Sequence, residues 1–158
     1  MFEAPSKKPD WKRVKAVMIK GRTGRIFFSR LSKNEDLVEA IKSRAERAEV
    51  KAGAFFLIGT LDNAVLGFYE QRQYKTIRID GPLEIASCTG NIAVDDDGET
   101  VVHAHIVVSD ASGHAFGGHM MKKCCVGATA ELILFEVVGI DLRRVLDKKT
   151  NLKLLELA

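Results

Sequence analysis

From Ala54 to Val138 the chain is written almost entirely in short apolar, β-branched and aromatic segments punctuated by glycine, and this constrains the fold more than any other feature. The segments are 54–61 (AFFLIGTL), 64–71 (AVLGFYEQ), 75–79 (KTIRI), 83–94 (LEIASCTGNIAV), 100–109 (TVVHAHIVVS) and 128–138 (ATAELILFEVV). Such side chains suit extended backbone, and the turn-forming residues between them favour hairpins over long crossovers. Asp95-Asp96-Asp97-Gly98 reads as one such turn, solvated; its acids lack the ligand spacing and closing Glu of an EF-hand calcium loop. Upstream, 11–20 (WKRVKAVMIK) and 25–30 (RIFFSR) predict two further strands joined across Gly21 and Gly24, the first a lysine-rich edge. In the tail, Leu142, Val145 and Leu146 form one short apolar piece and Leu152 to Leu157 another, the second a candidate last strand.

One helix interrupts this pattern. Leu37, Val38, Ile41, Ala45 and Ala48 recur at helical spacing up to about Val50, with Glu39, Lys42, Ser43, Glu46 and Glu49 on the opposite face. Ser32 and Glu35 have capping-box spacing, and Gly53 stands where the helix can stop. A single helix among many strands joined by tight turns predicts an α+β domain, its largely antiparallel sheet packed against one main helix.

The 158 residues, 46% apolar and 28% charged, suffice for one core, which places a single domain over 11–158 behind a basic tail at 1–10. No apolar run reaches the roughly 18 residues of a membrane-spanning helix. Neither an h-region nor a cleavage site follows Lys7 and Lys8, so no secretory signal is expected. Cys88, Cys124 and Cys125 fit no zinc-finger spacing and no paired disulfide set; reduced thiols in the cytoplasm are the expectation. Charge is uneven. Residues 1–33 hold ten lysines and arginines against Glu3 and Asp10, a local +8 in a chain of net charge +3. That end can attract phosphates, with Lys12, Arg13, Lys15, Arg22 and Arg25 as candidate nucleic-acid contacts; a solvated edge strand would carry the same charges.

The four histidines fall within seventeen residues. His103 and His105, two apart in a strand, project from one face, and His119 follows Gly117-Gly118, which permits close backbone approach. Three imidazoles with an open fourth position are the arrangement of catalytic zinc, though nickel, copper or iron would also accept them. Histidines on the exposed face of a strand would give the same text. Other chemistry is weakly signalled. Ser109-Asp110 lies near the histidines without a nucleophile elbow, and Cys124 and Cys125 read as small buried hydrophobes. Glu84 and Glu131 read as solvent-facing, with Glu84 a base only if it lies close to the histidines. Neither GxGxxG nor GxxxxGK[ST] occurs.

Several pieces together resemble the PPC (plants and prokaryotes conserved, also PCC) domain family in its stand-alone archaeal and bacterial form. They are 36–53 (DLVEAIKSRAERAEVKAG), Gly59 with Ala64, Leu66 and Gly67, 81–92 (GPLEIASCTGNI), 103–110 (HAHIVVSD), and 113–121 with 127–134 (GHAFGGHMM and GATAELIL). The resemblance implies an antiparallel sheet packed on a helix, a homotrimer, and a DNA-binding role. Plant members join the domain to AT-hooks with an Arg-Gly-Arg-Pro core, which Gly21-Arg22-Thr23-Gly24-Arg25 lacks; the plant Arg-Glu-Phe-Asn-Pro-Phe segment is absent too. His103, His105 and the GGH ending at His119 match the prokaryotic pattern and imply a metal there, zinc foremost, whereas His114 falls at a variable place. The functional expectation is therefore a trimeric DNA-binding protein with a three-histidine metal site. The alternative is a metal-dependent enzyme or small-molecule-binding protein using the open position, and a third reading makes the metal a structural staple.

Overall fold

The computed structural model describes residues 18–157. The strand expected over 11–20 falls mostly outside them, as do Lys12, Arg13 and Lys15; residues 18–21 are not in a strand. The elements are β1 (Arg22–Ser32), α1 (Leu37–Arg47), β2 (Gly53–Glu70), β3 (Gln73–Asp95), β4 (Thr100–Ser109), β5 (Ala115–Met120), β6 (Cys125–Val138), β7 (Leu142–Asp147) and β8 (Leu152–Leu157). They form one sheet in the order β1-β6-β2-β5-β4-β3-β7-β8, and β2 also pairs with β3, so β2, β3, β4 and β5 close into a ring of pairings. Every pairing between these strands is antiparallel except β3 with β7. The expected α+β architecture is therefore present. No helix among the described residues is long and apolar enough to cross a membrane.

Helix α1 begins four residues later than its capping box suggests. Asp36 is the N-cap, its carboxylate accepting the Glu39 N–H at 3.0 Å. Glu35 instead accepts the Ser32 N–H at 2.6 Å and grips Arg44 at 2.9 Å, because Ser32 is still committed to β1. The helix ends at Ala48, and Glu49 takes the left-handed turn (φ 56°) that Gly53 was expected to supply, leaving Gly53 to start β2. Leu37, Ala40, Ile41 and Ala45 are buried in a core shared with Phe55, Leu57, Ile106, Leu132 and Leu134. Burying a leucine or isoleucine contributes roughly 1.5–3 kcal/mol, against about 0.3–0.5 for a helix-surface pair such as Lys42 with Glu46, so the apolar stripe holds the helix down.

The segments 54–61 and 64–71 prove to be one strand, as do 75–79 and 83–94, with register shifts near Asp62 where turns were expected. The tip between them is Gln71-Arg72, both left-handed, an arrangement usually signalled by Asn-Gly. Strand β5 was not expected, since AFGGHM carries two glycines in six residues. It forms because β4 on one side and β2 on the other both offer it backbone partners.

The acidic turn is only partly solvated. Asp96 and Asp97 are exposed, but Asp95 is buried, accepting the N–H groups of Asp97 and Glu99 and an ion pair from Lys153 at 2.7 Å. It thereby ties the β3–β4 turn to β8. Cys124 is buried as expected, whereas Cys125, expected to be buried too, is only half-buried because it opens β6; Cys88 is also buried, and burial pushes the Cys88 and Cys124 thiols up to about 12 and about 11.

At the other end, Arg25 on β1 makes a two-point ion pair with Glu136 on β6, through Nε at 2.9 Å and Nη2 at 2.7 Å. These bonds hold the Glu136 carboxyl down to about 2, against an ordinary 4.5. A carboxylate with a depressed folded-state pKa stabilises the fold above its unfolded pKa and stops doing so as pH falls through the folded value. Chemical denaturation across this window should show stability falling between about pH 4.5 and about pH 2, with a shallower fall in Glu136→Gln.

Candidate metal centre

Strand β4 alternates from His103 to Val108. Ala104, Ile106 and Val108 point into the core, so His103 and His105 emerge together on the other face. The β4–β5 hairpin pairs His105 with His119, which makes His103 the diagonal neighbour of His119. Gly118 allows β5 its approach to β2: a Cβ there would lie 3.0 Å from the Gly67 carbonyl oxygen. The three ring centroids stand 5.1 to 5.5 Å apart, and one nitrogen from each lies within 4.8 Å of the others.

Tyr74 of β3 stacks on His119 at 4.7 Å, and Arg144 of β7 donates from Nη2 to Nδ1 of His103 at 2.8 Å. Burial, reinforced by Arg144 and the neighbouring imidazoles, pushes His103 down to about 4. His119 is likewise pushed down to about 4 by burial, then by His105 and Arg144. Both rings are neutral at pH 7, the form that offers a lone pair to a metal. His119 Nδ1 is buried with no hydrogen-bond partner, an unmet need that coordination would satisfy.

The donor set fits a borderline-soft divalent ion. Tetrahedral coordination at about 2.0–2.1 Å requires nitrogens about 3.3 Å apart, so the rings need close only modestly. One bond must give way. Nδ1 of a neutral His103 cannot accept from Arg144 and bind a metal at once; if Nε2 is the ligand, Nδ1 carries the proton and again cannot accept.

A model of the Plants and Prokaryotes Conserved (PCC) domain matches residues 18–138. The chain belongs to this family. It is similar to a plant- and prokaryote-conserved protein of Pyrococcus horikoshii, 31% identical, covering 90% of this chain and 98% of that one at a TM-score of 0.81. It is also similar to a metal-containing protein of Archaeoglobus fulgidus, 27% identical over 89% and 99% of the two chains, TM-score 0.80. A candidate DNA-binding protein of Ralstonia eutropha JMP134 is 26% identical over 83% and 90%, TM-score 0.74. Among curated proteins it matches the bifunctional protein GlmU of Synechococcus sp. (strain JA-3-3Ab), 28% identical over 80% of this chain, of which it spans only 20%.

Other residues singled out in the sequence lie apart from the PCC domain's histidine cluster. His114 is exposed in the β4–β5 turn, its Nδ1 3.1 Å from Asp110. Glu84 is exposed and pairs with Ser109, four residues along β4 from His105 and so roughly 13 Å away. That distance removes it as a base for chemistry at the histidines. Glu131 is exposed on β6. Arg22 is exposed, whereas the Arg25 guanidinium is already occupied by Glu136.

Two contributors escaped the sequence reading, Tyr74 and Arg144. Arg144 lies past the residues that match the family model, in a hairpin whose order in space depends on a parallel pairing of only Val94 with Arg143 and Asp95 with Arg144. No local spacing could have placed it beside His103. The alternation of HxH and the glycines before His119, by contrast, were sufficient to find the rings.

Proposed function

We propose that this PCC domain holds a single zinc ion on His103, His105 and His119, with one coordination position left for water or a small ligand, and that it works as a homotrimer in the cytoplasm. The observation that carries the proposal is the convergence of three imidazole nitrogens within 4.8 Å, two of the rings held neutral by burial. The metal-containing relative from Archaeoglobus fulgidus supports the same reading. Zinc in such a site supplies Lewis acidity and a bound water acidic enough to ionise near neutral pH. His103 and His105 present their rings from one rigid strand, His119 completes the set from its partner strand, and Tyr74 holds the His119 ring by stacking. Protein loaded with zinc should retain about one ion per chain by elemental analysis, and His103→Ala combined with His119→Ala should lose nearly all of it. Full retention by the double variant would exclude this site.

Support for the trimer comes from the outer face of β1, β6 and β2. Ile26, Phe28, Phe56 and Ile58 are each at least half exposed, and Phe28 and Phe56 both stand opposite Ile133 in register. A contiguous apolar patch of this kind marks an association surface. Light scattering should give about 52 kDa for three chains of 17.4 kDa, and Phe28→Asp with Phe56→Asp should shift the mass toward the monomer.

A second reading, DNA binding, is favoured by the relative from Ralstonia eutropha and by the basic N-terminal segment, of which Lys20, Arg22, Arg30 and Lys33 are exposed. Affinity of the full chain for duplex DNA should then fall steeply with salt, and charge reversal at Lys12, Arg13 and Lys15 should weaken it. Binding no tighter than that of an unrelated protein of equal charge removes this reading.

A further inference from the structure

Beside the three imidazoles lies a buried positive charge with no negative partner. Arg144 is 7% exposed. Its Nη1 donates to the Lys153 carbonyl at 3.0 Å, and its Nη2 to Asn91 Oδ1 at 3.0 Å and to His103 Nδ1 at 2.8 Å. All three acceptors are neutral, and Nε is buried with no acceptor at all. The nearest candidate to balance it, Asp95, is already engaged by Lys153 at 2.7 Å. No ion pair among the described residues includes Arg144. A buried guanidinium without a counter-charge is costly, and its cost falls when an anion arrives.

The place for that anion is adjacent. A cavity of about 250 Å³ is lined by Arg144, His103, His119, Tyr74, Leu152 and Leu154 among others, room for on the order of eight water-sized groups. We propose that this cavity binds a small organic monocarboxylate, with the Nε–Nη2 edge of Arg144 as its anchor and the aliphatic residues of β8 around its apolar part. This goes beyond the zinc reading: it adds a ligand class and a recognising residue, and anchoring by Arg144 needs no metal.

The same protein displays the contact required. Arg25 presents its Nε–Nη2 edge to Glu136 at 2.9 and 2.7 Å, a planar fork on a planar carboxylate. On Arg144 the equivalent edge has Nε free and Nη2 on two neutral acceptors, one of which is exchanged when a carboxylate docks. One uncompensated cation matches one negative charge, and Lys153 is committed to Asp95, so a dianion such as phosphate would leave charge unbalanced in an apolar cavity. The largely apolar wall surface, with Val101, Val102, Leu152 and Leu154 on it, selects for a hydrocarbon substituent in place of a second polar group.

The test is calorimetric titration of the full chain, zinc-loaded and chelated, with butyrate and benzoate, using their methyl esters and inorganic phosphate as controls. Saturable binding of a carboxylate, at least tenfold weaker in Arg144→Met and intermediate in Arg144→Lys, is the expected result. The Arg144 side-chain Nε–H resonance of the unaltered protein should also shift on titration, a readout that stands even if the methionine variant does not fold. Absence of saturable binding of either carboxylate up to about 10 mM overturns the proposal, as does equal binding of ester or phosphate, or an unmoved Nε–H resonance. Zinc content measured on the same samples separates the two ideas: carboxylate binding without zinc uptake sinks only the metal reading, and zinc uptake without carboxylate binding sinks only this one.

Discussion

Burial of Ala104, Ile106 and Val108 against the helix-covered core is the constraint from which the rest of the site follows. Because side chains alternate along a strand, sinking those three residues leaves His103 and His105 no choice of face. A one-residue slip would bury two imidazoles and expose the aliphatic residues, and the lost apolar burial forbids it. The antiparallel partner then fixes where the third ring arrives, since His119 is the residue opposite His105. Three metal-type donors are thus assembled by hydrophobic packing and backbone pairing, on rigid strands instead of loops.

What surrounds these rings comes from elsewhere in the chain. The C-terminal hairpin is pinned over the site by several independent contacts. The Tyr69 hydroxyl donates to the Thr150 carbonyl at 2.5 Å, Arg72 donates to the Lys148 carbonyl at 2.6 Å, and Lys153 pairs with Asp95. The left-handed Gln71-Arg72 tip therefore has a use beyond reversing the chain: it carries β2 and β3 to the β7–β8 turn. The hairpin gives the site its only buried guanidinium among the described residues, whose charge adds to burial in keeping His103 and His119 unprotonated.

Much of this was legible in advance because it depends on local pattern. The strand over 100–109 coincides with β4 to the residue, and the apolar stripe Leu37, Ile41 and Ala45 is the buried face of α1. Where the reading departed from the structure, a competing local preference misled it. Asp36 outcompeted Ser32 as cap because Ser32 was held in β1. Glycine content hid β5, although the same glycines let the strand fit between its neighbours. Bulges near Asp62 looked like turns because both interrupt alternation, and only the continued pairing of β2 with β3 distinguishes them.

Periodicity of two and of three and a half, together with rare residues at telling intervals, determined from the sequence alone that this chain is an α+β domain with a candidate three-histidine centre. These are properties of neighbours in the chain, where geometry is set by the backbone repeat. Tertiary structure alone decided that His119 faces His105, that Glu84 lies far from both, that Arg25 is occupied by Glu136, and that Arg144 reaches His103 from 41 positions away in the chain. Such facts depend on register and on which distant strands share an edge, and the energy that selects them is summed over the whole core and not stored in any one segment.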